Sequence, residues 1–260
     1  MKLEGNTVLI TGGTSGIGLE TAKELLARGN TVIVTGRDQE RLDAARRQLP
    51  KLSVIRSDAG KAQDVEALYT RVSKEFPSLN LLMNNAGFMR NINLQGAPVS
   101  LEELTAEIDA NLKGPMWMVS KFLPLLERQT AAAIVNVSSG LAFVPLPIAP
   151  IYCATKAAMN SYTRSLRVQL KNSKVKVFEF APPTTETNLF DVKSKALEGV
   201  PIMKVDVLVR EFLKGLEKDR LEIRPGQANQ LKFMNRVAPE FILGQLGKSV
   251  ERMFGGAPRN

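Results

Sequence analysis

Tyr152 and Lys156, in the stretch Tyr-Cys-Ala-Thr-Lys, are the side chains whose types and spacing could exchange a proton with a ligand. On a helix, positions i and i+4 lie on one face, so the phenol and the ammonium come close together. A free tyrosine has a pKa of about 10 and is a poor acid or base near neutral pH. A nearby positive charge favours the phenolate and should lower that pKa toward the range where proton transfer is efficient. Alone, the pair is also what many solvated helices carry, so the rest of the chain must decide its meaning.

Composition narrows the chemistry. The chain has no histidine and one cysteine, Cys153. That excludes a Cys/His zinc site, a Ser-His-Asp triad, a Cys-His dyad and an internal disulfide. Acid–base work falls to Tyr, Lys, Asp or Glu. The 260 residues, 44% hydrophobic and 23% charged, fit one large α/β domain with a sizeable core. The formal charge of +9 could mark a nucleic-acid or membrane surface, but the Lys and Arg residues are scattered, which favours general surface charge. The start leads directly into an apolar strand, and no apolar run approaches the ~20 residues that span a bilayer. A cytoplasmic, soluble protein is the expectation, with no metal and no nucleic acid.

The elements that must position the reactive pair follow in order. Thr7 to Ile10 reads as a buried strand. The turn Thr11-Gly-Gly-Thr-Ser-Gly-Ile-Gly18 and a helix from Leu19 to Arg28 follow it. Glycines let the backbone approach a phosphate, and the helix N-terminus offers free N–H groups to a pyrophosphate. The spacing is Gly-x-x-x-Gly-x-Gly, without the Gly-Lys-Ser/Thr of a triphosphate loop. A second strand, Thr31 to Thr35, ends in Gly36-Arg37-Asp38. An acidic residue there suits a free ribose 2′-hydroxyl, and an arginine suits a 2′-phosphate. Arg37 favours NADP over NAD. Asp38 either caps the helix Gln39 to Leu49, the preferred reading, or accepts from the ribose.

Strands at 52–57, 79–83, 133–137 and 175–180 alternate with helices at 61–76, 100–126 and 152–171. Pro115 is expected to kink the 100–126 helix. This alternation predicts an α/β doubly wound parallel sheet with helices on both faces, in a single domain. Ligands of such sheets lie outside the carboxyl ends of the strands. There the chain places Ser57-Asp58-Ala59, Asn84-Asn85-Ala86-Gly87, Ser138-Ser139 and Ala181-Pro182-Pro183-Thr184-Thr185-Glu186-Thr187.

Together these residues resemble the short-chain dehydrogenase/reductase family over about residues 5–190. The resemblance rests on the glycine turn, Asn84-Asn-Ala-Gly87, Asn111, Ser139 and Tyr152-x-x-x-Lys156. The start of the chain and Ser139-Gly-Leu-Ala-Phe look most like the DltE-type branch. The step of thirteen from Ser139 to Tyr152 is the family's usual spacing and selects Ser139 over Ser138. The resemblance implies a Rossmann-like fold and an NAD(P)-dependent oxidoreductase acting on a small carbonyl or alcohol. It gives catalytic roles to Asn111, Ser139, Tyr152 and Lys156. Tyr152 would be the acid or base, Ser139 would bind the substrate oxygen, and Lys156 would lower the tyrosine's pKa and hold the nicotinamide ribose. Asn111 would hold a water through its backbone. Cofactor contacts would come from Gly12, Thr14, Ser15, Gly16, Ile17, Gly18, Arg37, Asp58, Ala59, Asn85, Ala86, Gly87, Tyr152, Lys156, Pro182, Thr185 and Thr187. Pro183 departs from the family's usual Pro-Gly and removes a backbone N–H. Dimers or tetramers through the helices at about 101–127 and 152–171 are also implied.

The remainder says less. Residues 188–203 occupy the position of a substrate loop or a plain connector. A helix at 205–216 and a strand at 220–224 follow. The C-terminal extension, 226–260, is apolar and basic; it could pack on its own or a partner subunit, cover the substrate, or lie on a membrane. Phe143, Leu146, Leu189 and Phe190 hint at a partly apolar substrate. A cofactor-sensing protein without turnover would use the same fold, though it would need no proton relay. A nucleic-acid-associated protein is the third reading.

Overall fold

The computed structural model describes residues 1–187, 189 and 200–255. Seven parallel strands form its centre: β1 (Thr7–Ile10), β2 (Thr31–Gly36), β3 (Ser53–Arg56), β4 (Leu79–Asn84), β5 (Ala132–Val137), β6 (Val175–Phe180) and β7 (Glu222–Ile223). Their order is β3-β2-β1-β4-β5-β6-β7. Strand order reverses between β1 and β4, which leaves a crevice above their carboxyl ends.

The strands read as continuous apolar runs because both sheet faces are covered. Side chains alternate across each strand, so neighbours enter different cores. Val8, Ile10, Val32, Val34 and Phe180 pack with helices α1 (Gly16–Ala27), α2 (Gln39–Gln48) and α7 (Val205–Glu217). Leu9, Ile33, Leu82 and Ile134 face the other way. They pack with α3 (Ala62–Glu75), α5 (Gly114–Glu127) and the end of α6 (Pro150–Gln169). This is the doubly wound sheet expected from the sequence.

One expectation about helices needs correction. The 100–126 helix is not simply kinked at Pro115. Helix α4 (Leu101–Ile108) passes into a π-helical turn at Asp109–Lys113, and Pro115 lies in the first turn of α5. The Gly114 N–H reaches back five residues to the Asp109 carbonyl. Proline has no N–H to give the carbonyl four residues earlier, which belongs to Asn111. The break therefore lies around Asn111. The C-terminal stretch forms two helices, α8 (Gln227–Val237) and α9 (Pro239–Phe254). A residue before proline is pushed out of the helical region, and Ala238 has φ −143° and ψ 64°.

Helix α9 sends Leu246, Met253 and Phe254 against a small apolar cluster of Leu146, Ile148, Ala149, Tyr152 and Cys153. These contacts lie within its own subunit and beside Tyr152. Leu101 and Val168, on helices expected to meet a second copy, are exposed. Among the described residues no helix is long and apolar enough to cross a membrane. Most of the 188–203 stretch, with Phe190, lies outside the described residues.

Candidate active site

A cleft of about 490 Å³ opens above the carboxyl ends of the central strands. Its wall includes Gly12, Thr14, Ser15, Gly16, Ile17, Arg37, Asp58, Ala59, Asn85, Ala86, Gly87, Tyr152, Lys156, Pro182 and Thr187. Each of these was expected from the sequence. Gly18, Asn111, Ser139 and Thr185 are not part of this wall.

The floor is the turn from β1 into α1. Gly12 has φ +66°, and a Cβ there would stand 2.8 Å from the Ala86 Cα. Glycine supplies both the backbone conformation and the close approach. Gly18 lies beneath, where a Cβ would meet the Gly12 carbonyl at 2.6 Å. Its place is to let α1 sit tight against the turn. The Asn85 amide donates to the carbonyls of Thr11 and Gly12, both at 2.9 Å. Its side chain is thus spent on holding the turn. Ser15 precedes α1 without a side-chain cap, so the first-turn N–H groups of α1 face the cleft free of a side-chain acceptor. This is a ready anion cradle, and it fits a dinucleotide pyrophosphate.

At the β2 end, Asp38 accepts from the Arg41 N–H at 3.2 Å and caps α2. This is the preferred of its two readings. Arg41 also pairs with Asp38, at 3.6 Å. Arg37 is exposed at the mouth of the cleft, which suits a 2′-phosphate. Asp58 borders the cleft and accepts from the Gly60 N–H at 3.0 Å.

On the far side stands the reactive pair. Tyr152 and Lys156 occupy the first two turns of α6 and are almost fully buried. Lys156 Nζ donates to the Val137 carbonyl at 2.9 Å and lies 5.5 Å from the centre of the Tyr152 ring. The expectation that the lysine depresses the tyrosine's pKa is not met here. Burial pushes the phenol well above its ordinary range, and it outweighs the Ser139 hydrogen bond that favours the phenolate. Burial also lowers Lys156 to about 8. Tyr152 is therefore a neutral phenol at pH 7.

The two serines divide clearly. The Ser138 hydroxyl donates to Glu179 at 2.7 Å, inside the protein. Ser139 Oγ accepts from the Leu141 N–H at 3.1 Å and lies beside the Tyr152 phenol, where it favours the phenolate. Only the backbone side of Ser138 can serve the cleft, although Ser138 rather than Ser139 borders it. The hydroxyl beside the phenol is the one that the thirteen-residue spacing selects.

Asn111 sits in the π-helical turn and is buried. Its side chain accepts from the Phe88 N–H at 3.0 Å and donates to the Phe88 carbonyl at 2.9 Å. Its backbone carbonyl lacks an α-helical donor because of Pro115. Gly87 separates the two polar residues. A Cβ there would lie 2.9 Å from Asn111 Oδ1 and 3.6 Å from Lys156 Nζ. Thr185 bridges to Met203 and donates to the Pro183 carbonyl at 2.8 Å, behind the wall.

Phe88 and Met89, which line the cleft, and Glu107, which lies behind it, were not marked by any motif in the sequence. Glu107 is fully buried and accepts from the Arg90 N–H at 3.0 Å. Its position four residues before Asn111 was the available signal, because i and i+4 share a face. Phe88 had only its place directly after Gly87.

The pattern of the short chain dehydrogenase family matches residues 6–198. The chain is 41% identical to an uncharacterized oxidoreductase, DltE, of Bacillus subtilis (strain 168), over 95% of this chain and 98% of that one. Among solved structures it is similar to a short chain dehydrogenase from Burkholderia cenocepacia in complex with NADP. That match has 27% identity and a TM-score of 0.80, over 95% and 99% of the two chains. It is also similar to a 3-ketoacyl-(acyl-carrier-protein) reductase from Brucella melitensis complexed with NADH, at 26% identity and TM-score 0.77, over 86% and 98%.

Proposed function

Since the chain belongs to the short-chain dehydrogenase/reductase family, in its DltE-type branch, we propose that it reduces a small carbonyl, or oxidises the matching alcohol, with NADP. That it is an NAD(P)-dependent oxidoreductase follows from the family; the phosphorylated cofactor and the roles of single residues are our reading. The similar structures contain NADP in one case and NADH in the other, so their ligands do not choose. The β2 end supports the choice. Asp38 is engaged in capping α2, and Arg37 is left to meet a 2′-phosphate.

The bound cofactor would supply the hydride. Gly12, Gly16 and the α1 N-terminus would hold its pyrophosphate, and Arg37 its 2′-phosphate. Tyr152 holds a proton on Oη and delivers it to the oxygen of the reduced carbonyl. A phenol kept neutral by burial suits the reductive direction. Ser139 hydrogen-bonds the same oxygen and shares the charge that develops on it. Lys156 would bind the nicotinamide ribose and return a proton to Tyr152, and the Asn111 carbonyl, which Pro115 deprives of its α-helical donor, would hold a water beside that path. The substrate side is apolar, with Met89 packed on the cluster that contains Leu146 and Tyr152. A partly apolar substrate fits it.

The observation that carries this reading is the buried Ser139–Tyr152–Lys156 cluster beside a glycine-floored cleft. A screen of small aldehydes and ketones with NADPH, followed at the nicotinamide absorbance, should find turnover. Tyr152→Phe should lower it by at least ~10²-fold, the scale of a lost general acid, with little change in NADPH binding. Full turnover in that variant would sink the mechanism.

A further inference from the structure

We propose that Phe88 positions Arg37 and is thereby a determinant of the preference for a 2′-phosphorylated cofactor. The proposal rests on the reading of Arg37 as the 2′-phosphate contact.

Both side chains line the cleft, and the Arg37 guanidinium lies over the Phe88 ring, 5.9 Å from its centre. They come from strands that are not neighbours. Arg37 follows β2 and Phe88 follows β4, with β1 between. The contact therefore crosses the glycine turn that ends β1, over the ground where the pyrophosphate and adenosine ribose would lie.

Phe88 is a fixed platform. Its backbone is clamped at both the N–H and the carbonyl by the Asn111 side chain. A second guanidinium, that of Arg90, lies 5.7 Å from the same ring centre. Arg90 in turn donates to the carbonyls of Glu103 and Leu104 and stands 3.6 Å from the Glu107 carboxylate. Arg37 differs from its neighbours. Arg41 is paired with Asp38, whereas the Arg37 guanidinium has no side-chain hydrogen bond or ion pair among the described residues and lies over the Phe88 ring.

A long, exposed arginine loses rotamer freedom when it grips a ligand. Resting on a rigid aromatic face pays part of that loss in advance. A contact through the ring face also consumes none of the five guanidinium N–H donors, which stay available to a phosphate. NADH has no 2′-phosphate, so it gains nothing from a pre-positioned Arg37. The effect should appear as selectivity rather than as general affinity.

The test is fluorescence titration with NADPH and with NADH of four proteins: wild type, Phe88→Leu, Arg37→Ala and the double variant. Phe88→Leu should weaken NADPH binding about two- to fivefold, the scale of an exposed cation–π contact, and change NADH less than twofold. In the Arg37→Ala background the same change should have no further effect on NADPH. Phe88→Trp, which keeps a ring face, should keep the preference and guards against a folding artefact. Equal weakening of both cofactors, persistence of the NADPH loss without Arg37, or a Trp variant as weak as Leu would show that Phe88 is merely cleft wall. If Arg37→Ala loses the preference while Phe88→Leu does not, the inference fails and the role of Arg37 stands. If Arg37→Ala changes nothing, that role fails, and the inference with it.

Discussion

At the scale of single residues, the reactive pair shows how two forces compete for one pKa. Charge proximity argues for a phenolate, and burial argues against any charge. Burial wins at both sites, raising Tyr152 and lowering Lys156 to about 8. The lysine result has a measurable consequence. The native ammonium loses its proton near pH 8, whereas in the unfolded chain it does so near its ordinary 10.5. Between those values the unfolded chain binds more protons, so stability should rise with pH, by at most about 1.4 kcal/mol per pH unit. Below pH 8 this contribution is flat. Above pH 9 the buried Cys153 thiol, pushed up to about 11, contributes with the opposite sign. Urea unfolding between pH 7 and 9 should therefore show a rise that Lys156→Met lacks. Equal slopes in the two proteins would mean that the lysine is not buried as an ammonium. The residue types and their spacing were legible in the sequence, and so was the choice of Ser139 over Ser138. The burial that inverts the tyrosine's shift was not. It comes from the packing of Leu146, Ile148 and α9 around Tyr152, and the α9 residues Leu246, Met253 and Phe254 are distant in sequence.

At the scale of elements, glycine and proline carry most of the readable information. The β1–α1 turn was legible because its glycines follow an apolar strand and open a helix. The π-helical turn was half legible. Pro115 announces an irregularity, but the missing N–H acts four residues upstream, so the distortion falls on Asn111. Pro239 likewise splits a stretch that reads as continuous by its apolar content. Two substitutions separate conformational cost from close approach. Gly29→Ala places a side chain at φ +77° in open space and should cost about 1 kcal/mol, leaving NADPH affinity within about twofold. Gly12→Ala carries the same backbone cost and adds a Cβ 2.8 Å from the Ala86 Cα. It should lower the melting temperature further and weaken NADPH binding at least about tenfold, because the turn must open where the phosphates sit. Wild-type NADPH affinity in Gly12→Ala would mean that this turn is not the cofactor floor.

At the scale of the whole molecule, the sheet order does the positioning. The reversal between β1 and β4 opens one crevice and brings to it the ends of β1, β2, β3, β4, β5 and β6. Residues from Gly12 to Thr187 thereby share one cleft. The alternation of strands and helices made this architecture legible from the sequence, because parallel strands need crossover helices. The bridge from Arg37 through Phe88 to Arg90 was not legible. It joins side chains whose strands are separated by a third, and no periodicity marks such a contact. The central question is whether this cleft takes a 2′-phosphorylated dinucleotide. The direct measurement is titration of the purified protein with NADPH and NADH, followed by nicotinamide fluorescence. NADPH should bind at least about tenfold more tightly, the worth of roughly 1.4 kcal/mol for a charge-assisted phosphate contact. Equal or tighter binding of NADH would contradict the role of Arg37, and binding of neither would remove the cofactor cleft and the catalytic reading built on it.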